Sequence, residues 1–192
     1  MKIYKYKSYN DYVEEQTAHN IRKIGKGVVW VKEDTIRKIV EMHGPAKNII
    51  CHGTRSGEEQ KYFLKQYPEA EVIGTEISPT ATNYPNTVQW DFAEENKEWL
   101  NKFDIVYSNS FDHSFDPHKT IECWKNQLSE NGALYVEWPL VPQHQKSTSM
   151  DPTGGSELEL RFIFTEHKMK ETNSFEIRNT SFPIVVIRYE NI

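Results

Sequence analysis

The sequence predicts an α/β domain: a mostly parallel, seven-stranded sheet with helices on both faces, closed by an antiparallel hairpin. Three observations carry this. From Asn48 onward, short apolar runs alternate with segments of helical period, the pattern of strands joined by covering helices. A glycine-bearing turn, Gly53-Thr54-Arg55-Ser56-Gly57, links the first strand to the first of those helices. The last two strands follow each other with no helix between them, which makes them antiparallel neighbours.

Residues 1–45 form an N-terminal helical segment, and residues 46–192 the sheet domain. In the first part Asp34 precedes Ile36, Ile39 and Val40, a helical spacing with an N-cap residue at its head and Gly44-Pro45 at its end. The strands are Asn48–Cys51, Val72–Ile77, Thr87–Trp90, Phe103–Tyr107 and Ala133–Trp138. Helices Glu58–Tyr67, Glu94–Leu100 and Pro117–Leu128 lie between them, the last with proline at its first turn. After Trp138 the pattern changes. Residues 139–156 are rich in Pro, Gly, Ser, Thr and Gln, a long connection of the kind that forms lids and binding loops. A helix over Ser156–Lys170, with Leu158, Phe162 and Thr165 on its apolar face, precedes strands Phe175–Ile177 and Ile184–Tyr189.

Composition narrows the function class. The chain has 192 residues, a net charge of −5 and 27% charged residues, so a single core sits under a polar skin. No apolar run approaches the roughly 18 residues of a membrane span, and Met1–Lys7 carries no apolar leader. Two cysteines, Cys51 and Cys123, make neither a disulfide framework nor a Cys-rich metal site, so a reduced, cytoplasmic protein is expected. The acidic balance argues against a purely electrostatic nucleic-acid binder. No His pair has the spacing of a zinc helix motif, and no metal is expected.

The chemistry gathers at the carboxyl ends of the strands. Gly53 and Gly57 allow a tight βα turn or a close backbone approach to a ligand. Arg55 stands where a dinucleotide fingerprint needs its second glycine, which counts against a packed pyrophosphate. Glu76 ends the second strand, where a carboxylate accepts from both hydroxyls of a ribose. Asp91 follows the third strand beside Phe92; it suits either an adenine edge or a helix N-cap.

Together with Phe103-Asp104-Ile105-Val106-Tyr107-Ser108-Asn109-Ser110-Phe111-Asp112-His113 and the Asp116-Pro117 that opens a helix, these motifs resemble the class I S-adenosylmethionine-dependent methyltransferases over about Asn48–Trp138. That resemblance implies a Rossmann-like fold with an antiparallel last strand and S-adenosylmethionine as cofactor. It also implies that Gly53, Thr54, Arg55 and Gly57 line the methionine and ribose side. Glu76 would bind the ribose, Ile77, Asp91 and Phe92 the adenine, and Asn109 and Ser110 would sit by the methionine. The family usually has an acid where this chain has Cys51; Glu58, Glu59 or backbone carbonyls are the replacements within reach of the turn.

Methyl transfer needs alignment and, for many acceptors, removal of one proton. His113, with Asp112 fixing its tautomer, stands where such a base belongs, although the pair could equally order the loop. As a base, His113 would give a rate rising through the ordinary histidine value of about 6.5. His52 and His144 are the other candidates, while His19, His43, His118 and His167 read as solvated or capping residues. The motifs of amino-base and ribose methylating enzymes are absent, so a small-molecule acceptor, a metabolite or sugar-like compound, is expected. An NAD-binding oxidoreductase and a non-catalytic adenosine-binding relative are the rival readings. Gln16, Asn20 and Trp30 are the N-terminal residues able to cover a cofactor, although Trp30 suits a core position as well.

Overall fold

Strand β1 (Lys2–Ile3) opens the chain in a computed structural model that describes residues 1–178 and 181–192. Helices α1 (Tyr9–Gly25) and α2 (Glu33–His43) follow, and then the alternating part: β2 (Asn48–His52), α3 (Glu58–Gln66), β3 (Glu71–Glu76), β4 (Thr87–Gln89), β5 (Phe103–Ser108), α4 (Pro117–Gln127) and β6 (Leu128–Pro139). The chain closes with β7 (Thr153–Gly154), α5 (Glu157–Glu166), β8 (Met169–Ile177) and β9 (Ile184–Asn191). Seven strands form one sheet in the order β4-β3-β2-β5-β6-β9-β8. The first five are parallel, while β9 runs antiparallel to both β6 and β8. The expected mostly parallel sheet with an antiparallel last strand is the one observed.

Side-chain alternation along the central strands makes two cores. Ile49, Cys51, Ile105, Tyr107, Ala133 and Tyr135 face one way and meet Ile36 and Ile39 of α2 and Phe63 of α3. Ile50, Val106, Leu134 and Val136 face the other way and meet Trp124 of α4 and Leu160, Ile163 and Phe164 of α5. All are nearly or fully buried. Helix α2 is thus an ordinary sheet-covering helix. Within residues 1–45 it is α1 that crosses the carboxyl edge: the Tyr12 hydroxyl donates to the His113 carbonyl, and Thr80 donates to Asn20.

Four expectations are corrected. Glu94–Leu100 is not a helix; only Lys97–Trp99 makes a single 3-10 turn. The Glu94 carbonyl is taken by the Trp90 indole and the Cys123 thiol instead of by a helical turn. Strand β6 begins at Leu128, which pairs with Phe103, so it runs through Asn131-Gly132. Helix α5 ends at Glu166, with Lys168 at a left-handed φ of 58° just after it. Its buried face is Leu160, Ile163 and Phe164, whereas Leu158 and Phe162 are 77% and 65% exposed. Both stripes have helical spacing; the one that stacks Phe164 on Tyr189, rings 10° from parallel at 4.3 Å, is the one that packs. Finally, β8 starts at Met169, because Lys170–Ser174 is a polar edge-strand sequence that period-2 reading misses. The connection before β9 includes residues 179 and 180, which lie outside the described residues.

Loop 139–156 is ordered by its own contacts. The Trp138 indole donates to Gly155, and Thr153-Gly154 pairs with Lys2-Ile3 in a two-stranded ribbon. Among the described residues no helix is long and apolar enough to cross a membrane.

Candidate active site

A narrow cleft lies at the carboxyl edge of the sheet beneath α1. Gly53, Arg55, Glu76, Ile77, Asp91, Phe92, Ser110 and His113 form its floor and walls, and Tyr12, Gln16, His19, Asn20 and Lys23 of α1 close it. Gly53 has φ 73°, and a Cβ there would sit 2.5 Å from Cβ of Ser110, so only glycine allows this turn to approach β5. Arg55 takes a left-handed φ of 48°. Its N–H donates to Glu76 Oε2 at 3.0 Å and its guanidinium donates to the Val28 carbonyl. The Ser78 N–H donates to the other Glu76 oxygen at 3.1 Å. Burial pushes the Glu76 carboxyl upward, and the Ser78 and Arg55 amides pull it back. The Asn20 side chain also interacts with this buried carboxylate, which faces the cleft and keeps part of its acceptor capacity free. Asp91 accepts from the Ala93 N–H and from the Tyr9 hydroxyl, so it caps its loop and reaches α1 at once.

A wider cavity of about 250 Å³ adjoins this cleft. Trp30, Trp138, His144 and Phe182 give it aromatic walls, and Lys32, Asp112, Glu137 and Asp151 give it charge. His144 stacks on Phe182 at 4.1 Å. Tyr107 donates to Glu137, whose carboxyl burial pushes up to about 7. His19, Lys23, Arg55, Ser110 and His113 line both spaces, so these five residues are their shared wall.

The tautomer of His113 follows from its partners. Nδ1 lies 2.9 Å from Gln16 Oε1 and 2.9 Å from the Met150 carbonyl, two acceptors, so Nδ1 carries the proton and shares it between them. The Gln16 amide orientation is fixed in turn, because its Nε2 donates to Tyr6 and Met150. Nε2 of His113 therefore keeps a lone pair, 3.7 Å from Asp151 Oδ1 and 4.0 Å from Asp112 Oδ1. Burial, then the Lys23 charge, lowers the imidazole to about 4, so it is neutral at pH 7. Burial raises Asp112 to about 6 against the pull of Lys23.

No protein-family model and no curated protein matches the sequence. Solved structures do match, at low identity. The 1,6-didemethyltoxoflavin-N1-methyltransferase of Burkholderia thailandensis, crystallised with 1,6-didemethyltoxoflavin and S-adenosylhomocysteine, superposes with a TM-score of 0.76 at 15% identity, over 98% of this chain and 92% of that one. A SAM-dependent methyltransferase from Aquifex aeolicus gives 0.65 at 15% identity over 80% and 88%. A TehB-like SAM-dependent methyltransferase from Corynebacterium glutamicum gives 0.64 at 14% over 95% and 100%. With the strand order above, these matches decide the fold. The chain has the class I methyltransferase fold.

On that methyltransferase fold the expected residues fall into three groups. Gly53, Arg55, Glu76, Ile77, Asp91, Phe92, Ser110 and His113 come together in the cleft. Asn109 and Asp112 line the wider cavity instead. Thr54 and Gly57 reach neither. Thr54 is buried and accepts from Gln60, while Gly57 is the left-handed cap of α3. Asp112 does not fix the His113 tautomer; Gln16 and Met150 do. His52 is fully engaged between Thr75 and Gln127 and stacks on Trp124, which removes it as a base. Trp30 is neither a core residue nor a cleft wall; it is 42% exposed at the rim of the wider cavity.

Two functional candidates escaped the sequence. His19 is not solvated: it is buried against His113, rings 5.8 Å apart, and burial lowers it to about 3. Its spacing from Gln16 and Asn20 puts all three on one helix face, a signal that was available. Asp151 enters from a loop whose path no local pattern reveals. Of the acids near Cys51, Glu58 pairs with Lys61 at the surface. Glu59 is buried and accepts from Asn109 at 3.2 Å, and its second oxygen has no partner among the described residues.

Proposed function

We propose that the chain is an S-adenosylmethionine-dependent methyltransferase that methylates an oxygen or nitrogen of a small, flat acceptor. One observation carries this: a cleft walled by Gly53, Glu76, Ile77, Asp91 and Phe92 adjoins, across a shared wall that includes His113, a separate aromatic cavity. A two-substrate transfer needs two such compartments meeting at one point. The residues fit the cofactor. Glu76 keeps acceptor capacity for the ribose, Ile77 and Phe92 are apolar walls for adenine, and the Gly53 turn admits close backbone approach. Gln16 and Asn20 of α1 supply polar cover. S-adenosylmethionine, when bound, supplies an electrophilic methyl group on a sulfonium whose departure needs no proton.

The rest is done by this chain. Trp30, Trp138, His144 and Phe182 offer flat faces to a ring, and Lys32 and Glu137 offer it polar contacts. The His113 lone pair is in place to take a proton from the acceptor, and the fixed Nδ1–H stops the ring from presenting its other nitrogen. The Burkholderia enzyme was crystallised with 1,6-didemethyltoxoflavin, and the aromatic walls here suit a ring-shaped acceptor.

Replacing Glu76 by Ala should weaken S-adenosylhomocysteine binding by roughly 1–3 kcal/mol, the cost of leaving ribose hydroxyls without their charged acceptor. Calorimetry reads this directly. Glu76 also holds the Arg55 and Ser78 amides, so a thermal melt of Glu76→Ala separates loss of binding from loss of the turn. An unchanged dissociation constant in a folded variant would remove Glu76 from the site.

A further inference from the structure

The acceptor cavity holds a cluster that methyl transfer alone does not require. One donor atom each from His19, His113 and Asp151 lies within 4.8 Å of the other two, the one such group of three among the described residues. Two imidazoles and a carboxylate from three different segments, helix α1, the turn after β5 and loop 139–156, converge on one point. The His113 lone pair looks at Asp151 across 3.7 Å. Metal bonds of about 2.0–2.2 Å place neighbouring ligand atoms roughly 3.3–3.6 Å apart in a tetrahedral site, so the His113–Asp151 pair is already near that spacing and His19 closes the site by a side-chain shift of up to about 1.5 Å.

We propose that His19, His113 and Asp151 form a binding site for a divalent first-row transition-metal ion, with open positions facing the acceptor cavity. Its supporting shell is already built. A ligating imidazole donates its other N–H to a carbonyl or carboxylate, and Nδ1–H of His113 does so to Gln16 and Met150. Because Nδ1 of His113 holds the proton between Gln16 and Met150, its Nε2 is the unprotonated ring nitrogen that can bind metal. Two imidazoles with one carboxylate suit zinc, cobalt, nickel or iron(II) better than magnesium or calcium. The local field is balanced. Asp112 and Asp151 oppose Lys23 and Arg55, and the Lys23 ammonium repels a bound cation, so the metal has to displace it.

With the ion in place, the acceptor would be a chelating ring compound whose coordinated hydroxyl or nitrogen loses its proton readily. His113 is then a ligand and no longer the proton acceptor. That choice of acceptor rests on the methyltransferase reading; the metal site itself does not.

The test is titration of the full chain with cobalt(II), followed by visible absorption and calorimetry. The wild type should saturate with one cobalt per chain, and zinc should displace it. His19→Ala and Asp151→Asn should each abolish saturable binding. Gln16→Leu, which removes only support, should weaken it by about 10–100-fold. Lys23→Met should tighten it. The surface pair His118–His167, whose ring nitrogens lie 2.9 Å apart beside Glu122, is the internal control. His118→Ala should leave binding unchanged. Binding that survives His19→Ala and Asp151→Asn, or that disappears in His118→Ala, overturns the site, as does absence of saturable binding in the wild type. S-adenosylhomocysteine calorimetry on the wild type and Asp151→Asn keeps the two readings apart. Normal nucleoside binding without cobalt binding overturns the metal site alone; cobalt binding without nucleoside binding overturns the methyltransferase reading alone.

Discussion

A His113→Gln variant is expected to lose about 10²–10⁴-fold in turnover while binding S-adenosylhomocysteine within about threefold of the wild type. Glutamine can still donate an amide N–H toward Gln16 and Met150, so the loop keeps its anchor. What it lacks is the imidazole lone pair that faces Asp151 and the cavity. The pH dependence differs from that of an ordinary histidine. Burial and the Lys23 charge lower His113 to about 4, so its active, neutral form is lost only as pH falls through that value. The wild-type rate should therefore show no histidine limb between pH 6 and 8; a limb near pH 6 belongs to Asp112, which burial raises to about 6, and Asp112→Asn should remove it. A rate that rises through about 6.5 and loses that rise in His113→Gln would show a solvated histidine instead. If turnover and nucleoside binding fall together, His113 is a wall of the cofactor cleft only.

Glu59→Gln is expected to stabilise the protein at pH 8 by a few kcal/mol and to do little at pH 4. Glu59 is buried in the first turn of α3, and burial pushes its carboxyl from 4.5 up to about 8. Between those values the folded state holds a proton that the unfolded chain has released. Stability therefore falls as pH rises across that window, by up to about 1.4 kcal/mol per pH unit from this group. Glutamine keeps the shape and the contact to Asn109 and carries no such slope. Urea unfolding at pH 4, 6 and 8 measures it. Parallel stability profiles for wild type and variant would show that Glu59 is ionised and satisfied in the folded protein.

Most of the sheet was legible because parallel strands buried on both faces are apolar runs, and Ile49–Cys51, Ile105–Tyr107 and Ala133–Trp138 are such runs. Elements held by polar side chains were not. The polar edge of β8 has no apolar alternation, and the Glu94 segment has helical composition but spends its carbonyl on Trp90 and Cys123. In the site, residues fixed by strand ends, such as Gly53, Glu76, Asp91 and Phe92, could be placed because the sheet sets their positions. Thr54 and Gly57 look the same in sequence, yet they serve the turn. His19 and Asp151 come from outside the repeating βα pattern, one on a helix that crosses the edge and one on a loop, and their meeting with His113 is a tertiary fact. Cys51 shows the same limit. The sequence leaves Glu58, Glu59 and backbone carbonyls all open as its replacement, and only packing reveals that Glu59 is the buried acid of the two.

Calorimetric titration of the wild-type chain with S-adenosylhomocysteine, and in parallel with NAD, tests the central claim most directly. The account predicts saturable one-to-one binding of S-adenosylhomocysteine, weakened in Glu76→Ala, and no heat from NAD. Saturable binding of NAD with no response to S-adenosylhomocysteine would contradict it.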